Sequence, residues 1–288
     1  MNEEMGRVSE YSLGTTPILN KLKEMFSTDV PIYDTIFLNL GTILRNCSSN
    51  QSVVDAKKED KLLGRKSKTP AHILIKEGKS EILRFMQDVC DILDSNKGVL
   101  FPSVIAYFVN YRKCIPESLY RPFTEAEREV ALAEASLRGL VHGTKKDGKY
   151  SRVNFIELPI DSNQCPHRLL LKEFGNIKSN HHVIMISNHR LDYHIHKYCT
   201  KFCLIDSFTG NIILPRDLPQ KVFGTNVIPF IPITHAILGD KDDIKPSIAG
   251  KEKKNLIKIA TDNRWAAHSD EYIRIAIRNL KIPVPFEI

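Results

Sequence analysis

The sequence predicts an α/β protein with a central, mainly parallel sheet flanked by helices. Short apolar segments alternate along the chain with longer segments in which apolar residues recur at helical spacing. Strands and helices that alternate in this way are typical of parallel sheets built from βαβ units. The chain has 288 residues, of which 42% are hydrophobic and 26% charged. This composition is ordinary for a globular protein, and the length is sufficient to bury a core.

Three helices are predicted from apolar periodicity and capping residues. The first begins at Thr16, with Pro17 in its first turn, and Thr124 caps a third helix that runs from Glu125 to Leu140. The apolar face of the second helix consists of Ile82, Phe85, Met86, Val89, Ile92 and Leu93. Strands are predicted at residues 35–41, 99–101, 153–158 and 182–187, and a hairpin at 203–206 and 211–214 around Thr209-Gly210. A short helix is also expected at residues 168–174.

The remaining segments complete the predicted organisation of one globular unit. Residues 1–12 form a flexible N-terminus, residues 13–231 the α/β domain, and residues 232–288 a helical C-terminal region packed on it. The first strand is expected to run through a turn at Gly41 and continue over residues 42–46. Residues 48–70 are polar and rich in lysine, so a solvated loop is predicted there.

Charge, hydrophobicity and cysteine content indicate the kind of partner and the cellular compartment to expect. The formal net charge is +7, which favours a polyanionic partner. No apolar segment approaches the ~20 residues of a membrane span, and the acidic N-terminus lacks a signal-peptide core. We therefore expect an intracellular protein, cytoplasmic or nuclear, with no membrane partner. The six cysteines form no Cys-x-x-Cys pair, and we expect them to be reduced.

Two segments resemble the structure-specific 5′-nuclease superfamily, which includes flap endonucleases, phage 5′ nucleases and 5′→3′ exoribonucleases. The segment from Leu13 to Cys47 is similar to the family's opening, with a helix and then a strand that ends in the first metal-binding Asp. Asn39 occupies the position of that Asp. The segment from Ile233 to Lys251 is similar to the family's Gly-Asp-x-x-Asp motif, in which Asp240 and Asp243 correspond to metal ligands. The resemblance implies a PIN/FEN-like fold with a C-terminal helix–loop–helix.

The carboxylates that two-metal phosphodiester chemistry requires are mostly missing from the corresponding positions. Two divalent cations roughly 4 Å apart need several oxygen ligands, chiefly carboxylates. The resemblance places an amide at Asn39, a hydroxyl at Ser103, an amide at Asn163 beside Asp161, and an imidazole at His189. Asp192 lies one position out of register, so only Asp240 and Asp243 match the pattern. These two can equally cap the helix that follows them.

The resemblance therefore implies a catalytically degraded nuclease that binds nucleic acid through backbone phosphates, largely without sequence preference, in a replication, repair or RNA-decay assembly. Phosphate contacts are predicted at basic residues near the terminal motif and after the second strand: Lys241, Lys245, Lys251, Lys253, Lys254, Arg112, Lys113 and Arg121. Two alternatives stay open. The chain can be an active Mg²⁺- or Mn²⁺-dependent 5′ nuclease with relocated ligands, or a scaffold on the same fold that binds a protein partner.

No cofactor is required by this interpretation, although one Mg²⁺ or Mn²⁺, or a K⁺ in the helix–loop–helix, is compatible with it. A zinc site would have to come from a group of histidines and cysteines: His189, His194, His196, Cys199 and Cys203. Zinc is not expected, because their spacing matches no standard ligand pattern. The sequence contains no phosphate-binding P-loop, no dinucleotide fingerprint and no Gly-x-Ser-x-Gly nucleophile motif.

Overall fold

A computed structural model describes the residues that form the sheet and its main helices. These are residues 14–27, 33–64, 71–95, 102–108, 125–146, 150, 153–156, 170, 173–178, 180–189, 192, 195, 199, 201–218 and 221. The elements in chain order are α1 (Thr16–Phe26), β1 (Thr35–Asn39), α2 (Leu40–Cys47), α3 (Gln51–Leu62), α4 (His72–Ser95), β2 (Ser103–Tyr107), α5 (Glu125–Lys146), β3 (Val153–Ile156), β4 (His182–Ile186), β5 (Lys201–Ile205) and β6 (Ile212–Ile213).

The six strands form one sheet in the order β3-β2-β1-β4-β5-β6. The first five are parallel, and β6 is antiparallel to β5. After β1 the chain adds β2 and β3 on one side and then crosses to place β4 and β5 on the other. The strand order therefore reverses between β1 and β4, and this pair is the switch point of the sheet. The predicted α/β class and mainly parallel sheet are confirmed.

Successive side chains of a strand point to opposite faces of the sheet, so the apolar residues of the strands contribute to two separate cores. Ile36 and Leu38 of β1 belong to the larger core, which also contains buried residues of α1, α2, α4 and α5. Phe37 belongs to the smaller core on the other face, where its ring meets that of Phe174 edge-on at 5.0 Å between centroids. Both faces of the sheet are thus covered, which explains why β1 and β4 are buried almost throughout.

Two segments differ from the prediction. Residues 40–47 form α2 instead of continuing the strand, because the Asn39 side chain caps a helix there by accepting a hydrogen bond from the Thr42 amide at 3.3 Å. The predicted loop at 48–70 contains α3, a polar helix whose single buried residue is Val53. An ion pair between Lys57 and Glu129 of α5 helps to hold α3 on the domain.

The other elements lie close to their predicted positions. Helices α1, α4 and α5 are confirmed, with α5 extending to Lys146, and so are β3, β4 and the β5–β6 hairpin. The hairpin turns at Gly210, which has a φ of 72°. Strand β2 begins at Ser103, whereas the predicted strand at 99–101 and the C-terminal region at 232–288 lie outside the described residues. Among the described helices, none combines the length and apolarity of a membrane span.

Close packing of α4 on α2 gives a testable difference between two glycines. A methyl group on Gly78 of α4 would lie 2.4 Å from Cδ1 of Leu44, whereas one on Gly139 of α5 would meet nothing within 4 Å. We expect Gly78→Ala to lower the free energy of unfolding by about 1–3 kcal/mol despite alanine's better helix propensity. Gly139→Ala should raise it by up to about 1 kcal/mol. Urea denaturation measures both, and a Gly78→Ala variant as stable as wild type would contradict the close packing.

Candidate functional site at the switch point of the sheet

Buried polar side chains gather at the carboxyl edge of the sheet. Asn39 is the last residue of β1, Ser187 directly follows β4, and Ser207 follows β5 by two residues. Because these strands are parallel, their ends meet at one edge. Buried polar residues at or beside this edge are Asn39, Asn46, Glu134, Ser187, His189, Asp192 and Ser207. Buried polar groups are informative because their desolvation must be offset by specific partners.

The centre of this group is a hydrogen-bonded set of three side chains, which we call the Asn39 cluster: Asn39, Ser187 and Asp192. The Asn39 amide nitrogen donates to Oδ2 of Asp192 at 2.6 Å and lies 3.4 Å from Oγ of Ser187. The Ser187 hydroxyl donates to the same Asp192 oxygen at 2.6 Å. Asp192 is 0% exposed and Asn39 is 2% exposed. The cluster therefore joins β1 to the segment after β4 in a place without solvent contact.

The segment after β4 is folded tightly around this cluster. The His189 amide donates to Oγ of Ser187 at 3.0 Å, and the Asp192 amide donates to the His189 carbonyl at 3.1 Å. These bonds turn the chain so that the Asp192 carboxylate points back to the end of β1. His189 is itself buried at this turn. Three residues singled out by the sequence, Asn39, His189 and Asp192, are thus brought together.

Glu134 of α5 is an acidic residue of this region that the sequence prediction did not include. A methyl group built on Gly41 would lie 3.2 Å from Oδ1 of Asn39 and 3.3 Å from Oε2 of Glu134. The two oxygens therefore flank Gly41 from the same side, and the missing side chain leaves room for them. One signal in the sequence could have revealed Glu134: it interrupts the apolar face formed by Val130, Ala133 and Leu137.

Helix α2 connects the end of β1 to the segment that follows β5. Asn39 caps the N-terminus of this helix. In its last turn, the side-chain nitrogen of Asn46 donates a hydrogen bond to the carbonyl of Ser207. The Ser207 amide in turn donates to the Ser187 carbonyl at 3.4 Å. The ends of β1, β4 and β5 are therefore connected by polar contacts on one side of the sheet.

Ser103 lies at the other edge of the sheet, away from the Asn39 cluster. It is the first residue of β2 and pairs with Thr35, the first residue of β1. The residue of β2 level with Asn39 is Tyr107, whose hydroxyl contacts the Met185 sulfur at 3.4 Å.

Asp206, which directly follows β5, is an acidic residue near this edge but makes its hydrogen bonds within the hairpin turn. Its Oδ1 accepts hydrogen bonds from the backbone amides of Phe208 and Thr209, at 2.9 and 2.8 Å, and from the Thr209 hydroxyl at 3.1 Å. It thus stabilises the hairpin turn. The other predicted site residues lie outside the described residues: Asp161, Asn163, Asp240, Asp243, Arg112, Lys113, Arg121, Lys241, Lys245, Lys251, Lys253 and Lys254.

The residues of the Asn39 cluster do not fit a pair of divalent cations. They offer one carboxylate, and the side-chain atom of Asn39 that faces it is a nitrogen that donates a hydrogen bond. A cation would need an oxygen lone pair at that position. Across the described part of the chain, no three His, Cys, Asp or Glu side chains are arranged to hold a metal ion.

The described members of the histidine and cysteine group are also separated. Cys203 lies in the larger core and Cys199 in the smaller core, on opposite faces of the sheet. Burial raises the pKa of Cys203 to about 11 and also raises the pKa of Cys199, which disfavours the thiolate form that zinc binds. His194 and His196 lie outside the described residues.

The fold and this cluster define an α/β protein with a mainly parallel sheet and a buried polar cluster at its switch point. Comparison of the sequence with protein-family models gives no match. The search of curated proteins likewise finds no match.

Proposed function

We propose that this chain binds nucleic acid through backbone phosphates on a 5′-nuclease-like, PIN/FEN-like scaffold whose metal site is degraded. The observation that carries the proposal is the convergence of Asn39, His189 and Asp192 at one sheet edge. The resemblance assigned the first two of these positions to metal-binding aspartates and placed the third beside them. The hydrogen bond between Asn39 and Asp192, which are 153 residues apart in sequence, supports that correspondence.

The chemistry of the cluster supports binding in preference to hydrolysis. An amide at position 39 donates to Asp192 instead of offering an anionic ligand. Hydrolysis by two metal ions depends on carboxylates that balance the charge of both cations. The carboxyl edge at a switch point is nevertheless where open α/β sheets place their ligands. Phosphate contacts need only positive charge and backbone amides, and the net charge of +7 supplies the former.

The proposal is tested by binding of the full chain to three labelled probes: flap DNA, single-stranded DNA and 5′-phosphorylated RNA. Each is titrated with and without Mn²⁺, with binding measured by fluorescence anisotropy and cleavage on a gel. We expect binding without cleavage, and a steep loss of affinity between about 50 and 200 mM salt. Metal-dependent cleavage would instead show an active nuclease, and no binding to any probe would favour a protein-binding scaffold.

Two charge-reversal variants of equal net charge test the predicted phosphate contacts. Lys253→Glu/Lys254→Glu changes two predicted contacts in the terminal motif, and Lys76→Glu/Lys79→Glu changes two exposed residues of α4. We expect the first variant to bind at least about tenfold more weakly, with a salt slope reduced by about two. The α4 variant should bind nearly as wild type. Equal weakening of both variants would mean that only the overall charge attracts the probe.

A further inference from the structure

The hydrogen bonds of the Asn39 cluster engage both the nitrogen and the oxygen of the Asn39 side chain. A side-chain amide has two N–H donors and one carbonyl oxygen. Here the nitrogen faces Asp192 and Ser187, and the oxygen accepts from the Thr42 amide at 3.3 Å. The Ser187 hydroxyl uses its one proton on Asp192 and accepts from the His189 amide at 3.0 Å. An amide at position 39 satisfies these neighbours without taking up a proton, which a carboxyl group would have to do.

A carboxylate at position 39 would fail for a specific reason. It would keep the bond from the Thr42 amide, but it has no proton to donate to Asp192. Two carboxylate oxygens would then face each other where a hydrogen bond of 2.6 Å now joins nitrogen to oxygen. Glu134 adds a further acidic group on the Gly41 side of Asn39. Like charges at this spacing and in this degree of burial repel strongly.

We infer that Asn39 is a positioning residue whose amide performs the task a cation would otherwise have at this edge. It holds the Asp192 carboxylate against the end of β1 without a divalent ion. The role of the amide is inferred from the contacts of the cluster and does not depend on nucleic-acid binding, whereas the comparison with a cation rests on the proposed function. Asn39 is then a residue with a structural role of its own, and not simply a position at which the aspartate of the 5′-nuclease superfamily is missing.

The test exchanges the two partners of the hydrogen bond. Asn39→Asp removes the donor and should lower the Tm by about 5–10 °C. In the double variant Asn39→Asp/Asp192→Asn, position 192 carries the amide donor and position 39 the carboxylate acceptor. This variant should recover at least half of the Tm that Asn39→Asp loses. Asn154→Asp on β3, which makes the same change at an exposed position, should leave the Tm within about 2 °C of wild type. Thermal denaturation followed by circular dichroism measures all four proteins.

Each outcome decides the inference. If Asn39→Asp does not fold but the double variant does, the exchange is confirmed. A double variant no more stable than Asn39→Asp, or one that also fails to fold, would overturn it. A second measurement addresses the cation directly: about 1 mM Mn²⁺ should leave the wild-type Tm unchanged. A rise in Tm that disappears in the Asn39→Leu variant would identify Asn39 as a metal ligand and would also overturn the inference.

Discussion

The Phe37→Ala variant is expected to lose about 3–5 kcal/mol of its free energy of unfolding. Phe37 is fully buried in the smaller core, and its ring meets Phe174 edge-on at 5.0 Å. Truncation to alanine removes most of the apolar surface that β1 contributes to this face and leaves a cavity in a packed interior. It also removes the aromatic contact, worth about 0.5–1.5 kcal/mol beyond burial. Urea denaturation followed by fluorescence or circular dichroism gives the change.

Phe208→Ala is the matched control, because Phe208 is 39% exposed in the hairpin turn. The same change of side chain should cost less than about 1 kcal/mol there. A double-mutant cycle with Phe174→Ala should show a coupling of about 1 kcal/mol between the two rings. Independent, additive effects of Phe37→Ala and Phe174→Ala would argue against direct contact between the rings.

Asn39→Leu is the second substitution with a large expected effect, about 3 kcal/mol of destabilisation. Leucine has the same branching and the same number of heavy side-chain atoms as asparagine but is larger, so the change removes the hydrogen bonds and also crowds a buried site. Asp192 would lose the amide donor at 2.6 Å, and the Thr42 amide would lose its capping acceptor. Removing one partner from a buried, charged hydrogen bond costs more than the net worth of an ordinary bond. Chemical denaturation of the purified variant measures the loss.

Asn154→Leu provides the comparison for this result. Asn154 is exposed on β3 and makes one long hydrogen bond, of 3.5 Å, to Ser103. We expect its replacement to change the free energy of unfolding by no more than about 0.5 kcal/mol. Similar values for both asparagines would show that the Asn39 cluster contributes little to stability.

Most of the sheet could be predicted from the sequence because its strands carry strong local signals. The residues of β4 are almost entirely apolar, and α4 shows an unbroken apolar face. Helix α3 could not be found in this way. It has one buried residue, and its ion pair joins Lys57 to a glutamate 72 residues away. Such a helix is specified by tertiary contacts, which periodicity does not report.

The candidate site was predictable only where a resemblance marked its residues. Asn39 lay inside the strand predicted at residues 35–41, and the resemblance marked its position. Glu134 gave no motif, and its relation to Asn39 depends on the packing of α5 beside Gly41. Ser103 is level with the first residue of β1 and not with Asn39, and this placement depends on how the strands pair. Strand boundaries are set by pairing with neighbours, which the sequence alone does not contain.

The pairing of β1 with β4 has a consequence for synthesis of the chain on the ribosome. In the register of these two strands Phe37 lies opposite Met185, which follows it by 148 residues in the chain. At about 5–20 residues per second, translation of the intervening chain takes roughly 8–30 s. During that time β1 can pair with β2, but its other edge stays unpaired until β4 has been synthesised. The nascent chain therefore exposes an apolar strand edge of the kind that chaperones bind, and productive folding in the cell should depend on protecting it.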